Sequence, residues 1–207
     1  MNKIQYNNKY SASITGGALL YQETIALLPY LNDKSIDNIT DQASNNTLLK
    51  TNSESARKRI ISEIRKRYNS VNSNVFTKLA DSTIIEQKVL LYFVCLKAYP
   101  LLFDFAFDVA VKKWLSRELT ISSVDVLRFL DHNSAAHPEI EEWSPKTHKK
   151  ISSVAIKILK DTGFIKDNKL TSINLSISFW KFFHNIGETW FLKAALLNQE
   201  QREQIIG

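Results

Sequence analysis

The chain has one cysteine, four prolines and five glycines among 207 residues. The lone Cys95 sits in an apolar run and cannot close an internal disulfide, so a buried thiol in a reducing cytosol is expected. So few turn-forming residues argue against an all-β chain and for long helices with short connections. A metal-binding pattern is lacking too. His132 and His137 stand near Asp131, Glu139, Glu141 and Glu142, but without zinc-site spacing or a cysteine partner, and a solvated acidic turn is the expectation. There is no nucleophile elbow and no second thiol, so no catalytic residue and no cofactor is assigned and no enzyme is expected. Gly16-Gly17 precedes a helix expected from about Ala18 to Leu28. The pair lacks the Gly-Lys-Ser/Thr ending and preceding strand of a phosphate loop, and reads as a turn packed closely against another helix. The first residues, MNKIQYNNKYSAS, hold no hydrophobic core of a secretory signal.

A clean membrane span is also missing. Val89 to Val111 is long enough, but Lys97, Pro100, Asp104 and Asp108 interrupt it, and each central charge would cost roughly 2.5 to 3.5 kcal/mol in a bilayer. Two core helices fit better: one capped by Thr83 with Glu86 and ending near Tyr99, the next from Pro100 to about Arg117. Lys97, Asp104, Asp108 and Lys112 then lie on polar edges or pair with the helix that carries Arg57. Asp33 to Lys50 is polar, and Ile36, Ile39, Ala43 and Leu48-Leu49 suffice for one short helix.

What the chain does have is concentrated positive charge. Lys50 to Ser70 holds seven basic and two acidic residues, as does Ser144 to Leu170, so these stretches carry +10 in a chain of net +6 and the remainder is net −4. Such clustering fits a nucleic-acid footprint better than the overall charge does. The second stretch begins with Ser144-Pro145, a helix start, and reaches Gly163, a helix stop. At 100° per residue, Thr147, His148, Ile151, Val154, Ala155, Ile158 and Leu159 share one side. Lys146, Lys149, Lys150, Ser153, Lys157 and Lys160 share the other, and Ile156 alone is misplaced. No carboxylate offsets the lysines before Asp161. Two readings follow, a phosphate-facing surface and a merely solvated face.

After this helix, Phe164-Ile165-Lys166 and Lys169 to Leu175 flank Asp167-Asn168, a dipeptide suited to a tight hairpin. Upstream, Ser122 and Asp125 make a capping box ahead of Val126, Leu127, Phe129 and Leu130, and a brief acidic helix is expected from about His137 to Glu142. Helix, short helix, basic helix, hairpin is the winged-helix order, in which the third helix enters the major groove. Lysines suit phosphates, and the arginines and amides that read base edges are missing from the outer face. A second basic helix, about Ser53 to Val71, directs Lys58, Arg59, Arg65 and Lys66 outward, while Ala56, Ile60, Ile61, Ile64, Tyr68 and Val71 form its apolar stripe. Arg57 and Arg67 fall in or beside that stripe, where each is expected to pair with a carboxylate from a neighbouring helix. Trp180, Phe182, Phe183, Trp190 and Phe191 read as core aromatics by their helical spacing.

The fold class expected is mainly α: a helical bundle over residues 1–120, then a winged-helix-like region with a small β-hairpin and aromatic C-terminal helices over 121–207. The candidate nucleic-acid contacts are Lys146, Lys149, Lys150, Ser153, Lys157, Lys160, Lys166, Lys169, Lys58, Arg59, Arg65 and Lys66.

Four pieces in order give the chain a family likeness. They are Tyr10 with Ile14-Thr15-Gly16-Gly17-Ala18-Leu19-Leu20 and Glu23; Asn45-Asn46 with Leu48-Leu49; Ser53, Ser55, Arg57 and Arg59 leading to Arg67; and Trp143-Ser144 with Thr147, then Ile158-Leu159-Lys160-Asp161-Thr162-Gly163-Phe164-Ile165. In these the chain resembles the BrxA family of the bacteriophage exclusion (BREX) defence systems, with Tyr68 where the family has an aliphatic residue. The resemblance implies a small, cytoplasmic, mostly helical accessory protein of a multi-gene antiphage system, and it carries no catalytic residue. Its likeness to NusB-type proteins makes RNA a rival to double-stranded DNA as ligand. A third reading is a protein-only scaffold docking through the aromatic C-terminal helices onto other BREX components, a methyltransferase or a large ATPase.

Overall fold

A computed structural model describes residues 9–32 and 48–207, and the helix expected between Asp33 and Lys50 falls largely outside the described residues, as does the Asn45-Asn46 piece. The chain is mainly α, with one small antiparallel hairpin. It divides into two compact units, Gly16–Ala98 and a second made of Met1–Thr15 with Tyr99–Gly207. Residue 120, the sequence-based division, falls inside the second unit.

Among the described residues the Gly16–Ala98 unit holds four helices: α1 (Tyr21–Asn32), α2 (Glu54–Tyr68), α3 (Asn74–Ala80) and α4 (Ile84–Ala98). Helix α2 packs on α4, and α3 lies against both α1 and α4. The α4 residues from Val89 to Leu96 are all buried, including Cys95, whose thiol is pushed up by burial. Thr83 and Glu86 start α4 by exchanging hydrogen bonds, the carboxylate accepting the Thr83 amide at 2.9 Å. Helix α1 begins three residues later than its apolar pattern suggests, because the carbonyls of Gly17, Ala18 and Leu19 are taken by the guanidinium of Arg67 at 2.7, 2.7 and 3.0 Å. Leu20 then adopts a left-handed backbone, φ 52, before the helix starts. The close approach expected of the glycine pair is real: a Cβ on Gly16 would stand 2.6 Å from Glu63 Oε2 on α2. The helix also continues through Pro29 to Asn32, past its expected end.

In the second unit, α5 (Pro100–Leu115) opens with Pro100 in its first turn and widens to a π-helix over Ala106–Val111. It ends at Leu115, just before Arg117 turns left-handed at φ 60. Next come α6 (Ser123–Asn133), a 3-10 turn at Pro138–Ile140, α7 (Pro145–Thr162), strands β1 (Ile165–Lys166) and β2 (Lys169–Leu170), then α8 (Ile177–Asn185), α9 (Trp190–Ala194) and α10 (Gln199–Ile206). Ser122 and Asp125 form the capping box of α6. Helix α6 packs along α7, α9 against the π segment of α5, and α8 against α10. The C-terminal aromatics build this core: Trp180, Phe183 and Phe191 are buried, and Phe182 and Trp190 are half-buried. Trp190 stacks edge-on against Phe103 of α5 with centroids 4.9 Å apart. Among the described residues no single helix is long and apolar enough to cross a membrane.

Candidate nucleic-acid interface

Local chemistry fixes both ends of α7. The Ser144 hydroxyl accepts the Thr147 amide at 3.2 Å, and Pro145 occupies the first turn, where its missing N–H loses no bond. At the other end Gly163 takes φ 103, its amide bonding Lys160 O at 3.1 Å while the Phe164 amide reaches Leu159 O at 2.9 Å. These two bonds close a Schellman motif, which satisfies the last carbonyls of the helix.

Between these ends the faces separate cleanly. Ile151, Val154, Ala155, Ile158 and Leu159 are buried, and so is Ile156, whose 8 % exposure extends the core stripe to the position that had looked misplaced. Ser152 is buried as well, its hydroxyl donating to Lys149 O at 3.0 Å. Lys146, Lys149, Lys150, Ser153, Lys157 and Lys160 are all exposed. With 3.6 residues per turn they fall within about 100° of the circumference, along a helix about 27 Å long. Among the described residues one ion pair touches this face, Lys157 Nζ to Asp161 Oδ1 at 2.9 Å. A row of lysines left to solvent is costly to the free helix through like-charge repulsion, and an anionic partner would relieve that cost.

The hairpin that follows turns at Asp167 and Asn168, φ 51 and 58, the type I′ geometry that matches strand twist. Its register pairs Ile165 with Leu170, both buried, and Lys166 with Lys169, both exposed. The second strand stops at Leu170 rather than running on to Leu175. Its partner can begin only after the helix ends at Gly163, and the last ladder bond is Thr171 N to Phe164 O at 3.0 Å. On its other side β2 meets a third extended segment: Leu170 N donates to Leu119 O at 2.8 Å, Ile121 N donates to Asn168 O at 3.2 Å, and Thr120 bridges Lys169. That segment lies just before α6 and was not anticipated from the sequence.

The basic residues of α2 lie in the other unit and are less available. Lys58 is exposed but pairs with Glu54 at 2.7 Å, and Arg65 is half-buried. Lys66 is exposed, though partial desolvation, offset in part by Glu63, holds it below the usual ammonium range. Arg59 is exposed. Arg57 and Arg67 are buried as expected. Arg57 donates to Thr51 O at 2.6 Å and Asn52 O at 3.1 Å, and Arg67, besides its three carbonyls, faces Glu63 of its own helix at 3.9 Å.

The acidic turn before α7 is not uniformly solvated. Glu139 is 6 % exposed and accepts the backbone amide of Tyr10, while His137 Nδ1 lies 3.2 Å from the same carboxylate oxygen. Burial opposes ionisation there, but hydrogen bonds from its own amide, from Tyr10 and from His137 hold the carboxyl below its ordinary value. The Tyr10 ring stacks on His137 at 3.6 Å, and its hydroxyl donates to Asp104 at 2.7 Å. Burial, with that carboxylate, pushes the phenol up. His148 ties the turn to α7, its Nε2 lying 2.9 Å from Ile140 O. Among the described residues no group of three or more His, Cys, Asp or Glu could hold a metal.

A family model described as BrxA matches residues 8–187. A protein of Bacillus cereus (strain H3081.97) described as "BREX protein BrxA" is 23% identical over 162 residues, covering 77% of this chain and 80% of that one. One of the same description from Escherichia coli O9:H4 (strain HS) is 21% identical over 165 residues, covering 78% and 76%. The crystal structure of an uncharacterized protein from Magnetospirillum magneticum superposes with a TM-score of 0.74 at 17% identity, over 92% of this chain and all of that one, a likeness of fold alone.

Proposed function

From the premise that the chain belongs to the BrxA family, we propose that it is a non-enzymatic, cytoplasmic accessory protein of a BREX antiphage system that binds double-stranded DNA through phosphate contacts with little sequence preference. The observation that carries this reading is the α7 face, where five lysines and a serine are exposed in one row with a single ion pair among the described residues. Counterion release from a duplex would supply the binding free energy, and the row has the length to follow a backbone. The α6, turn, α7 and hairpin order, with the Leu119–Ile121 segment completing a third strand, supports a winged-helix geometry in which α7 enters the groove and Lys166 and Lys169 flank it. No arginine, asparagine or glutamine stands on the outer face, which favours backbone contact over base reading. Of the α2 candidates, Arg59 fits a phosphate contact best, and Lys58, Arg65 and Lys66 are secondary. The methyltransferase and large ATPase of such a system are proposed as protein partners.

Gel shifts with a labelled duplex test this reading. Lys149→Glu with Lys157→Glu should weaken the shift strongly at low salt while leaving the helical circular-dichroism signal intact. Unlabelled duplex should compete better than single-stranded or hairpin RNA. Better competition by RNA would make RNA the ligand, and no shift at moderate salt would leave the protein-only scaffold.

A further inference from the structure

Between the π segment of α5 and helix α6 lies a groove of about 510 Å³, walled by Asp108 and Lys112 on one side and by Asp125, Arg128, His132 and Asn133 on the other. The volume lies within the range of small-molecule sites. Both carboxylates are already engaged. Asp108 pairs with Lys112 at 3.0 Å, and Asp125 accepts the Ser122 amide at 2.8 Å and pairs with Lys113 at 3.2 Å. The two groups left over are cationic or donating. Arg128 and His132, one turn apart and exposed on α6, have side chains with no hydrogen bond or ion pair among the described residues. Arg128 and His132 thus offer unpaired donors beside carboxylates that already have partners, and an arginine fork with an imidazole N–H matches phosphate geometry. Val109 and Phe129 add apolar surface beside these groups. The wall carrying Asp108 and Val109 is itself unusual, because α5 departs from α-helical geometry over these six residues. Isolated π segments recur where a helix shapes a functional site.

We propose that this groove binds a small phosphate ester of nucleotide size, its phosphate held by Arg128 and His132 and its organic portion covering Val109 and Phe129. The site is separate from the α7 lysine face and does not depend on nucleic-acid binding there. Free phosphate and a nucleotide share the phosphate contact, but only the ester has an organic portion to lie on Val109 and Phe129.

The test is NMR of the four histidine side chains in the full chain, titrated at constant ionic strength with inorganic phosphate and, separately, with adenosine monophosphate. The expected result is a saturable shift of His132 well beyond those of His137, His148 and His184, with adenosine monophosphate binding at least fivefold more tightly than phosphate. Arg128→Gln should weaken binding at least tenfold, while Lys149→Glu with Lys157→Glu should leave it unchanged even where it weakens DNA binding. A uniform drift of all four histidines, equal affinity for the two probes, or indifference to Arg128→Gln would overturn the proposal. So would a His132 shift produced by duplex DNA and by neither small phosphate.

Discussion

Replacing Arg67 by methionine should destabilise the Gly16–Ala98 unit by about 3–5 kcal/mol, because its carbonyl acceptors are left without their charged donor. Arg67 is 2 % exposed, and its guanidinium gathers the carbonyls of Gly17, Ala18 and Leu19 while facing Glu63. Methionine fills similar volume but donates nothing, so three carbonyls lose a charged donor and Glu63 loses the positive charge 3.9 Å away. Charged hydrogen bonds contribute roughly 1.5–3 kcal/mol each, but bonds sharing one donor do not add, so the total falls below three times that value. Against a total stability of about 5–15 kcal/mol, such a loss is large. Urea unfolding followed by circular dichroism reads it as a lower midpoint. A change below about 1 kcal/mol for Arg67→Met would refute the clamp as the reason the polypeptide takes this path before α1.

Gly163→Ala should cost about 1–2 kcal/mol of stability in the same assay. Its Cβ would meet only Ile173 at an ordinary 3.6 Å, so the penalty comes from the backbone at φ 103. A loss under about 0.3 kcal/mol would contradict this. The buried Glu139 predicts acid sensitivity. Its hydrogen bonds depress the carboxyl below its ordinary value of 4.5, so the stabilisation is complete above that value and lost as pH falls through the lower, folded-state value. Thermal midpoints at pH 7, 4 and 3 should fall less steeply for Glu139→Gln than for the parent chain, and parallel profiles would contradict the assignment.

Those parts of the fold specified by near neighbours were readable from the sequence. Helix α7 was legible from end to end because Ser144-Pro145, Gly163 and a 3.6-residue apolar period all act within a few residues of one another, and Asp167-Asn168 marked the turn for the same reason. The mainly α class followed from the same local signals. Features that depend on distant partners were not legible. Glu139 looked like part of a solvated acidic turn, and its burial depends on Tyr10, 129 residues away in sequence. Arg67 carries no mark that its acceptors would be backbone carbonyls 48 to 50 residues earlier. The π segment lies in an apolar run with no glycine or proline to announce it. Arg128 and His132 had the visible spacing of one helical turn, but the groove they line needs Asp108 and Lys112 from another helix.

The central claim, that the α7 row binds a DNA backbone, is tested most directly by measuring duplex affinity between 50 and 200 mM salt for the parent chain and for Lys149→Glu with Lys157→Glu. If six of the exposed lysines on α7 and the hairpin each meet a phosphate, the log–log slope should be about −5, a loss of about 10³-fold over that range. The double variant should bind more weakly at every salt concentration, with a slope shallower by about 2. A parent slope near zero, or a double variant with the parent's affinity and slope, would contradict the account.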